Sequence, residues 1–174
     1  MKLHLYIAIV LLAVLSSCQP HPTSPQPSPR GEGVASRTLE NIDSLMWQQP
    51  DSALAVMMQF AASPEADSLG EFNGHYCQLL IAELLYKNDY AQSNRAEVLQ
   101  AVGYFDSIDD AFLAARAHYI NGVGFYERDS LIEACTEYLN TLRIMENHFG
   151  ENELVGKKAR FMALTYSTES YKSY

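Results

Sequence analysis

The residue types that most often carry catalysis or bind metals are sparse in this sequence, and their spacing forms no catalytic or metal-binding pattern. Cys77 and Cys135 show neither a CxxC motif nor a catalytic cysteine–histidine spacing. Their helix faces favour buried free thiols, and a disulfide is the alternative in an oxidising compartment. His75, His118 and His148 fall on different predicted helices without an HxxxH or HExxH pair. We therefore predict no catalytic residue, no metal site, no cofactor and no enzymatic activity.

A third cysteine, Cys18, follows an N-terminal segment of different character. Residues 1–15 carry one charged side chain and then an uninterrupted apolar run. This run is too short to span a bilayer comfortably and predicts a signal peptide over residues 1–17. The sequence LSSC at residues 15–18 resembles the lipobox of bacterial lipoproteins. The resemblance implies cleavage before Cys18 and attachment of a diacylglyceryl group to its thiol, with a buried or disulfide-bonded cysteine as the alternative.

The residues after Cys18 are rich in proline. Five of the seven prolines lie between Pro20 and Pro29. Proline fixes φ and lacks an N–H donor, so residues 18–37 are predicted to form an extended, solvated tether. A ligand for a polyproline-binding domain is the alternative. Gln19 stands where enterobacterial lipoproteins retained in the inner membrane carry Asp, so the resemblance favours an outer-membrane protein of the cell envelope that faces the periplasm.

Residues 115–148 show the helical periodicity around which the folded part is organised. Two stripes at helical spacing occur, the first formed by Ala115, His118, Tyr119, Gly122, Phe125 and Tyr126 and the second by Leu131, Ala134, Tyr138, Leu142 and Met145. Between them, Ser130 and Glu133 have the spacing of a capping box, with Asp129 as a competing N-cap. The segment is therefore predicted to form two amphipathic helices packed as a hairpin.

The packing positions of this hairpin resemble the tetratricopeptide repeat. That repeat combines a small residue and an aromatic on its first helix with Ala-x-x-x-aromatic on its second. Gly122 and Phe125 match the first pair, and Ala134 and Tyr138 match the second. On this resemblance the small residues let the two helices approach closely, while the aromatic rings fill the space on either side. The pattern departs at His118, where the repeat favours Trp.

Further helix pairs are predicted on both sides of this hairpin. Residues 39–46 and 52–60 form one pair, with Trp47 interpreted as a packing residue at a helix end. A second pair combines a long helix over residues 63–87 with a helix over residues 94–108. Another first helix is predicted over residues 152–166.

Together these segments predict an all-α chain with a tetratricopeptide-like domain over residues 38–174. The run NIDSLMWQQPDSALAVM resembles the opening of tetratricopeptide lipoproteins of the Bacteroidetes type. The family implies a right-handed superhelical array of antiparallel helix hairpins. The final YSTESYKSY has no apolar stripe, so the last repeat is expected to be incomplete. Two explanations remain open: the chain is a truncated member of a longer family, or a partner covers the last helix.

The balance of charge excludes one class of partner. The formal charge is −9, from 21 acidic and 12 basic residues, and no basic run occurs. Binding to nucleic acid needs clustered Lys and Arg, so no nucleic-acid partner is expected. The acidic residues are spread along the predicted helices, which indicates solvated helix faces.

These features predict a protein–protein interaction module, a scaffold or adaptor, held at the membrane through Cys18. A protein or peptide partner is expected on the first helices of the pairs. The candidate contact residues, predicted to be exposed there, are Tyr76, Glu83, Lys87, Asn121, Tyr126 and Arg128. The alternatives are a fragment of a larger envelope sensor or regulatory protein, and the non-catalytic part of an envelope enzyme.

Overall fold

The computed structural model describes residues 33–93, 95–149, 155–160 and 163. Every regular element in these ranges is helical, which confirms the all-α class. The predicted signal peptide, Cys18 and the tether up to residue 32 lie outside the described residues, as does most of the chain after residue 160. No helix in the described ranges is long and apolar enough to cross a membrane.

Seven helices have defined bounds. They are α1 (Val34–Met46), α2 (Pro50–Ala61), α3 (Pro64–Asp67), α4 (Glu71–Lys87), α5 (Arg95–Ser107), α6 (Ala111–Tyr126) and α7 (Leu131–His148). Residues 155–160 are also helical. The short α3 forms a single turn between two longer helices.

The long helices pack in sequential pairs. Helix α1 contacts α2, α4 contacts α5, and α6 contacts α7. Each pair also contacts the next: α2 and α1 both pack on α4, while α5 and α4 both pack on α6. The first helices of the pairs, α1, α4 and α6, are therefore neighbours. One continuous apolar core runs between them.

Two boundaries differ from the predictions. Helix α1 begins at Val34, inside the predicted tether, because Ser36 lies on the same buried stripe as Leu39 and Ile42. The helix predicted over residues 63–87 is broken between α3 and α4. Ser68 and Gly70 are poor helix formers, and Gly70 takes an extended backbone as the N-cap of α4.

Helices α4, α5 and α6 end in the same way. An aspartate with left-handed backbone follows each helix, and the next N–H donates to a carbonyl five residues back, as in a Schellman turn. The aspartates are Asp89 (φ 59°), Asp109 (φ 56°) and Asp129 (φ 59°), and the bonds are Tyr90 N to Leu85 O at 2.9 Å, Asp110 N to Phe105 O at 3.3 Å, and Ser130 N to Phe125 O at 3.1 Å. This geometry reverses the chain within a few residues.

The expected capping box before α7 does not form. Ser130 is the N-cap of α7, but its side chain makes no capping hydrogen bond. Asp129, the competing cap, is used instead in the left-handed turn. A side-chain cap does occur one helix earlier, where Asp110 Oδ1 accepts from Leu113 N at 3.1 Å at the start of α6.

Helices α6 and α7 pack closely against each other at Gly122. A Cβ added at Gly122 would lie 2.6 Å from Cε1 of Tyr138, whose side chain is fully buried. Ala134 is also fully buried, and Phe125 packs at the edge of the core. The two helices are antiparallel, since Tyr138 lies against Gly122 while Thr141, later in α7, donates its hydroxyl to the carbonyl of Ala115, earlier in α6.

Gly122→Ala is therefore expected to destabilise the protein, although alanine is the better helix former. The new methyl group would meet a buried ring that cannot move aside, and overpacking of this kind costs about 1–3 kcal/mol. The matched control is Gly103→Ala in α5, where nothing lies within 4 Å of the added Cβ. That control should raise the free energy of unfolding by about 0.5–1 kcal/mol. Urea unfolding followed by circular dichroism measures both, and equal stabilisation by the two alanines would contradict the close contact.

Candidate functional site

The first helices of the pairs border a partly open cavity, called the groove below, with about 40 Å³ of space open to water. Its lining comes from the end of α1, from α4 and α6, and from the helical residues 155–160. The lining residues are Trp47, Glu83, Tyr86, Lys87, Arg116, Tyr119, Ile120, Val155 and Lys158. Polar, charged and aromatic side chains therefore meet at one place in the fold.

Arg116 forms the charged part of the groove floor and is only 2% exposed. Its Nη1 and Nη2 donate to Asp43 on α1 at 2.7 and 3.0 Å, and its Nε and Nη2 donate to Glu83 on α4 at 2.9 and 2.5 Å. Burial lowers the pKa of Arg116, but the two carboxylates outweigh this effect, so the pKa stands well above its ordinary value. The guanidinium is therefore permanently charged and links all three first helices.

Tyr76 completes this network. Its hydroxyl donates to Asp43 Oδ2 at 2.5 Å. Burial and the charge of Asp43 both raise the pKa of Tyr76 well above its usual range, so the phenol stays protonated as a donor. Two carboxylates and one guanidinium leave one formal negative charge in the network.

The groove wall is aromatic. The hydroxyls of Tyr86 on α4 and Tyr119 on α6 lie 3.5 Å apart. Tyr119 also packs against Tyr138 of α7, with ring centroids 5.8 Å apart. The wall is therefore continuous with the closely packed α6–α7 interface, which holds it in place.

Two lysines stand at the groove. The ammonium of Lys87 lies 4.2 Å from the ring centroid of Trp47, which is 46% exposed. Partial burial and the charge of Lys158 lower the pKa of Lys87. Neither Lys87 nor Lys158 forms an ion pair with any residue that the structure describes. The groove thus offers two cations beside an accessible indole.

The six predicted contact residues differ in their exposure and in whether they line the groove. Tyr76, Glu83 and Asn121 are buried, so the prediction that they are exposed is wrong. Their helices are covered on more than one side, because each first helix packs against its own partner and against neighbouring first helices. Lys87 is half-buried and lines the groove. Tyr126 and Arg128 are exposed at the end of α6, but neither lines the groove.

Sequence inspection missed three important residues. Trp47, interpreted as a packing residue, is 46% exposed and lines the groove. The ion pair between Asp43 and Arg116 was not predicted, since 73 residues separate them in the sequence. The sequence did carry one signal. Within α6, Arg116 is the single residue of the types Lys, Arg, Asp and Glu. A lone charge on a buried helix needs a charged partner.

His118 joins three helices on another side of α6. Its Nδ1 lies 2.5 Å from Glu137 Oε2 on α7, and its Nε2 lies 3.3 Å from Asp106 Oδ2 on α5. Burial lowers the pKa of His118, but the hydrogen bond and charge of Glu137, with the charge of Asp106, raise it more, so the net pKa is raised. The two ring nitrogens point in different directions, so the carboxylates do not converge on one point.

The described residues contain no group of three or more His, Cys, Asp or Glu side chains that could hold a metal ion. Cys77 is buried and Cys135 is half-buried, and both are free thiols. Burial raises the pKa of Cys77 to about 11 and also raises that of Cys135. Neither thiol is activated as a nucleophile.

Breaking the Arg116 network is expected to be costly. Arg116→Met leaves two carboxylates at the floor without their cation, and removal of one partner from a buried ion pair destabilises by about 3–5 kcal/mol. The matched control is Arg160→Met, which removes an exposed pair with Glu146 at 2.7 Å and should cost at most about 1 kcal/mol.

A triple variant separates charge from packing in this experiment. Asp43→Asn and Glu83→Gln added to Arg116→Met remove the unpaired charges, so most of the lost stability should return. Thermal and urea unfolding measure all three proteins. If the single and triple variants unfold at the same urea concentration, unpaired charge is not the cause of the loss.

The fold is expected to weaken as the pH rises above 6.5 because of His118. Its pKa is raised above the ordinary 6.5 in the folded state, so its stabilisation is complete below the unfolded pKa and is lost as the pH rises through the folded pKa. Urea unfolding at a series of pH values should show this decline in the unaltered protein. His118→Gln should flatten it, whereas His148→Gln, at an exposed histidine, should not. If the free energy of unfolding still declines with pH in His118→Gln, another titrating group causes the decline.

Comparison of the chain with protein-family models, curated proteins and solved structures gives no match. The chemistry of the groove and the sequence features are therefore the basis for a functional proposal.

Proposed function

We propose that this chain is a non-catalytic protein–protein interaction module of the bacterial cell envelope, anchored to the outer membrane through a lipid on Cys18. In this proposal its helix pairs form a right-handed, tetratricopeptide-like array. The groove on the first helices receives a protein or peptide partner. The observation that carries the proposal is the accessible Trp47 at this groove, beside lysines that form no ion pair with any described residue.

The order of helix contacts supports the array. Both helices of each pair pack on the first helix of the next pair, and this nearest-neighbour arrangement is how helical repeats bury a continuous core. The contact of Gly122 with Tyr138 supports the same assignment, since a small residue opposite an aromatic is the packing that the tetratricopeptide resemblance implies.

The character of the groove supports binding. Aromatic residues are enriched in the centre of protein interfaces, where large rigid rings add contact area at low entropic cost. Trp47, Tyr86 and Tyr119 supply such rings here. The buried Arg116 network fixes the backbone beneath them, so a partner would meet a surface that is already organised.

The anchor is supported by the sequence. An apolar N-terminal run, a lipobox-like LSSC and a proline-rich segment follow one another. Such a tether would hold the helical domain away from the membrane surface and leave the groove accessible.

The partner site can be tested by photocrosslinking in living cells. A photoreactive amino acid at Trp47, in the groove, should give an adduct with a protein. The same amino acid at Leu139, which is 57% exposed and does not line the groove, should give none. Adducts from Leu139 alone, or from neither position, would contradict a binding role for the groove.

The anchor is tested in the same cells. Labelling with a fatty-acid analogue should mark the unaltered protein, and Cys18→Ala should abolish the label and release the protein from the membrane fraction. If Cys18→Ala still carries the label, the lipid is attached to another residue and the proposed anchor at Cys18 is wrong.

A further inference from the structure

Lys87 lacks the ion pair that its position on α4 would normally provide. Glu83 lies four residues earlier, the spacing at which a glutamate and a lysine usually interact on a helix. Both oxygens of Glu83 are instead taken by Arg116. The ammonium of Lys87 therefore lies over Trp47 and has no carboxylate partner among the described residues.

A second cation lines the same groove. Lys158 is exposed, has no ion pair within the described part of the chain, and is close enough to Lys87 to lower its pKa. Two like charges at one groove repel each other, and an anion between them would remove this repulsion. Glu83 and Arg116 also line the groove, but they are paired with each other, so the two lysines are its charges without an ion pair among the described residues.

The size and lining of the groove limit what the anion can be. About 40 Å³ of space open to water is enough for part of one side chain, not for a large ligand. The floor and wall include Ile120, which is 1% exposed, and the rings of Tyr86 and Tyr119. An anionic group with a short apolar stem matches this combination of charge and apolar surface.

We propose that the groove receives a glutamate side chain from an acidic segment of the partner protein, with the carboxylate between Lys87 and Lys158 and the methylene groups against the aromatic wall. This inference rests on the proposed function and specifies the chemistry of the partner. A basic segment is disfavoured because it would place a third positive charge at the two lysines.

The single tryptophan makes the inference directly measurable. Trp47 is the one Trp in the sequence and lies at the groove, so its fluorescence reports on a bound segment. A peptide of ten glutamates should change the fluorescence of the purified protein in a saturable way. A peptide of ten glutamines should not. The response to the glutamate peptide should weaken as salt is added.

Lysine variants locate the charge. Lys87→Gln and Lys158→Gln should each weaken binding of the glutamate peptide about tenfold, because each removes a charge-assisted contact. Lys157→Gln is the matched control. It makes the same change in net charge at the adjacent exposed lysine, which does not line the groove, and binding should stay within about twofold. Melting curves establish that the variants are folded.

Several results would overturn the inference. The first is a Trp47 fluorescence that does not respond to the glutamate peptide. The second is equal binding of the glutamine and glutamate peptides. The third is an equal loss of glutamate-peptide binding in Lys157→Gln and Lys158→Gln. A response to vesicles of phosphatidylglycerol but not to the glutamate peptide would overturn it in favour of a lipid headgroup. If photocrosslinks from position 47 persist unchanged in Lys87→Gln and Lys158→Gln, the acidic segment is rejected while the proposed function stands.

Discussion

The ion pairs of Arg116 are the interaction on which the arrangement of the first helices depends. The guanidinium joins Asp43 of α1 and Glu83 of α4 to α6, across three helix pairs. Hydrophobic contacts alone hold neighbouring helices together but do not fix their relative position as sharply. Each hydrogen bond requires its donor and acceptor at a set distance and angle, so this network favours one relative placement of the three helices.

The same network determines the chemistry of the groove above it. Because both oxygens of Glu83 bond to Arg116, Glu83 forms no ion pair with Lys87. A salt bridge that would ordinarily form on the surface of α4 is thus replaced by a buried one between helices. The network is largely buried and carries one formal negative charge, whereas Lys87 is half-buried and Lys158 is exposed, and neither forms an ion pair with a described residue. The stability of the helix packing and the arrangement of charge at the groove therefore depend on the same network.

Periodicity in the sequence predicted much of the fold and less of the site. The pairing of α6 with α7 and the contact between Gly122 and Tyr138 follow from local spacing, since small and large residues alternate at helical intervals. Exposure of the first helices could not be judged in this way. A helical stripe shows which residues share a face, but not how many neighbouring helices cover the other faces, and so Tyr76, Glu83 and Asn121 were wrongly expected to be accessible. The role of Trp47 depends on Lys87, 40 positions away in sequence, for the same reason.

The net charge of the whole chain is negative, whereas the two lysines at the groove are positive. The whole chain carries a formal −9, which disfavours approach of an acidic partner from a distance, but at physiological salt this field is screened beyond about 8 Å. Within that distance the nearest charges dominate, and at the groove the accessible ones are Lys87 and Lys158, because Arg116 and Glu83 are buried and paired with each other. An acidic segment would therefore gain little from long-range steering and would depend on contacts made after arrival. In the proposed complex, selectivity would come from fitting one side chain into a small, already organised groove, because a negative charge placed elsewhere on this acidic protein would meet repulsion.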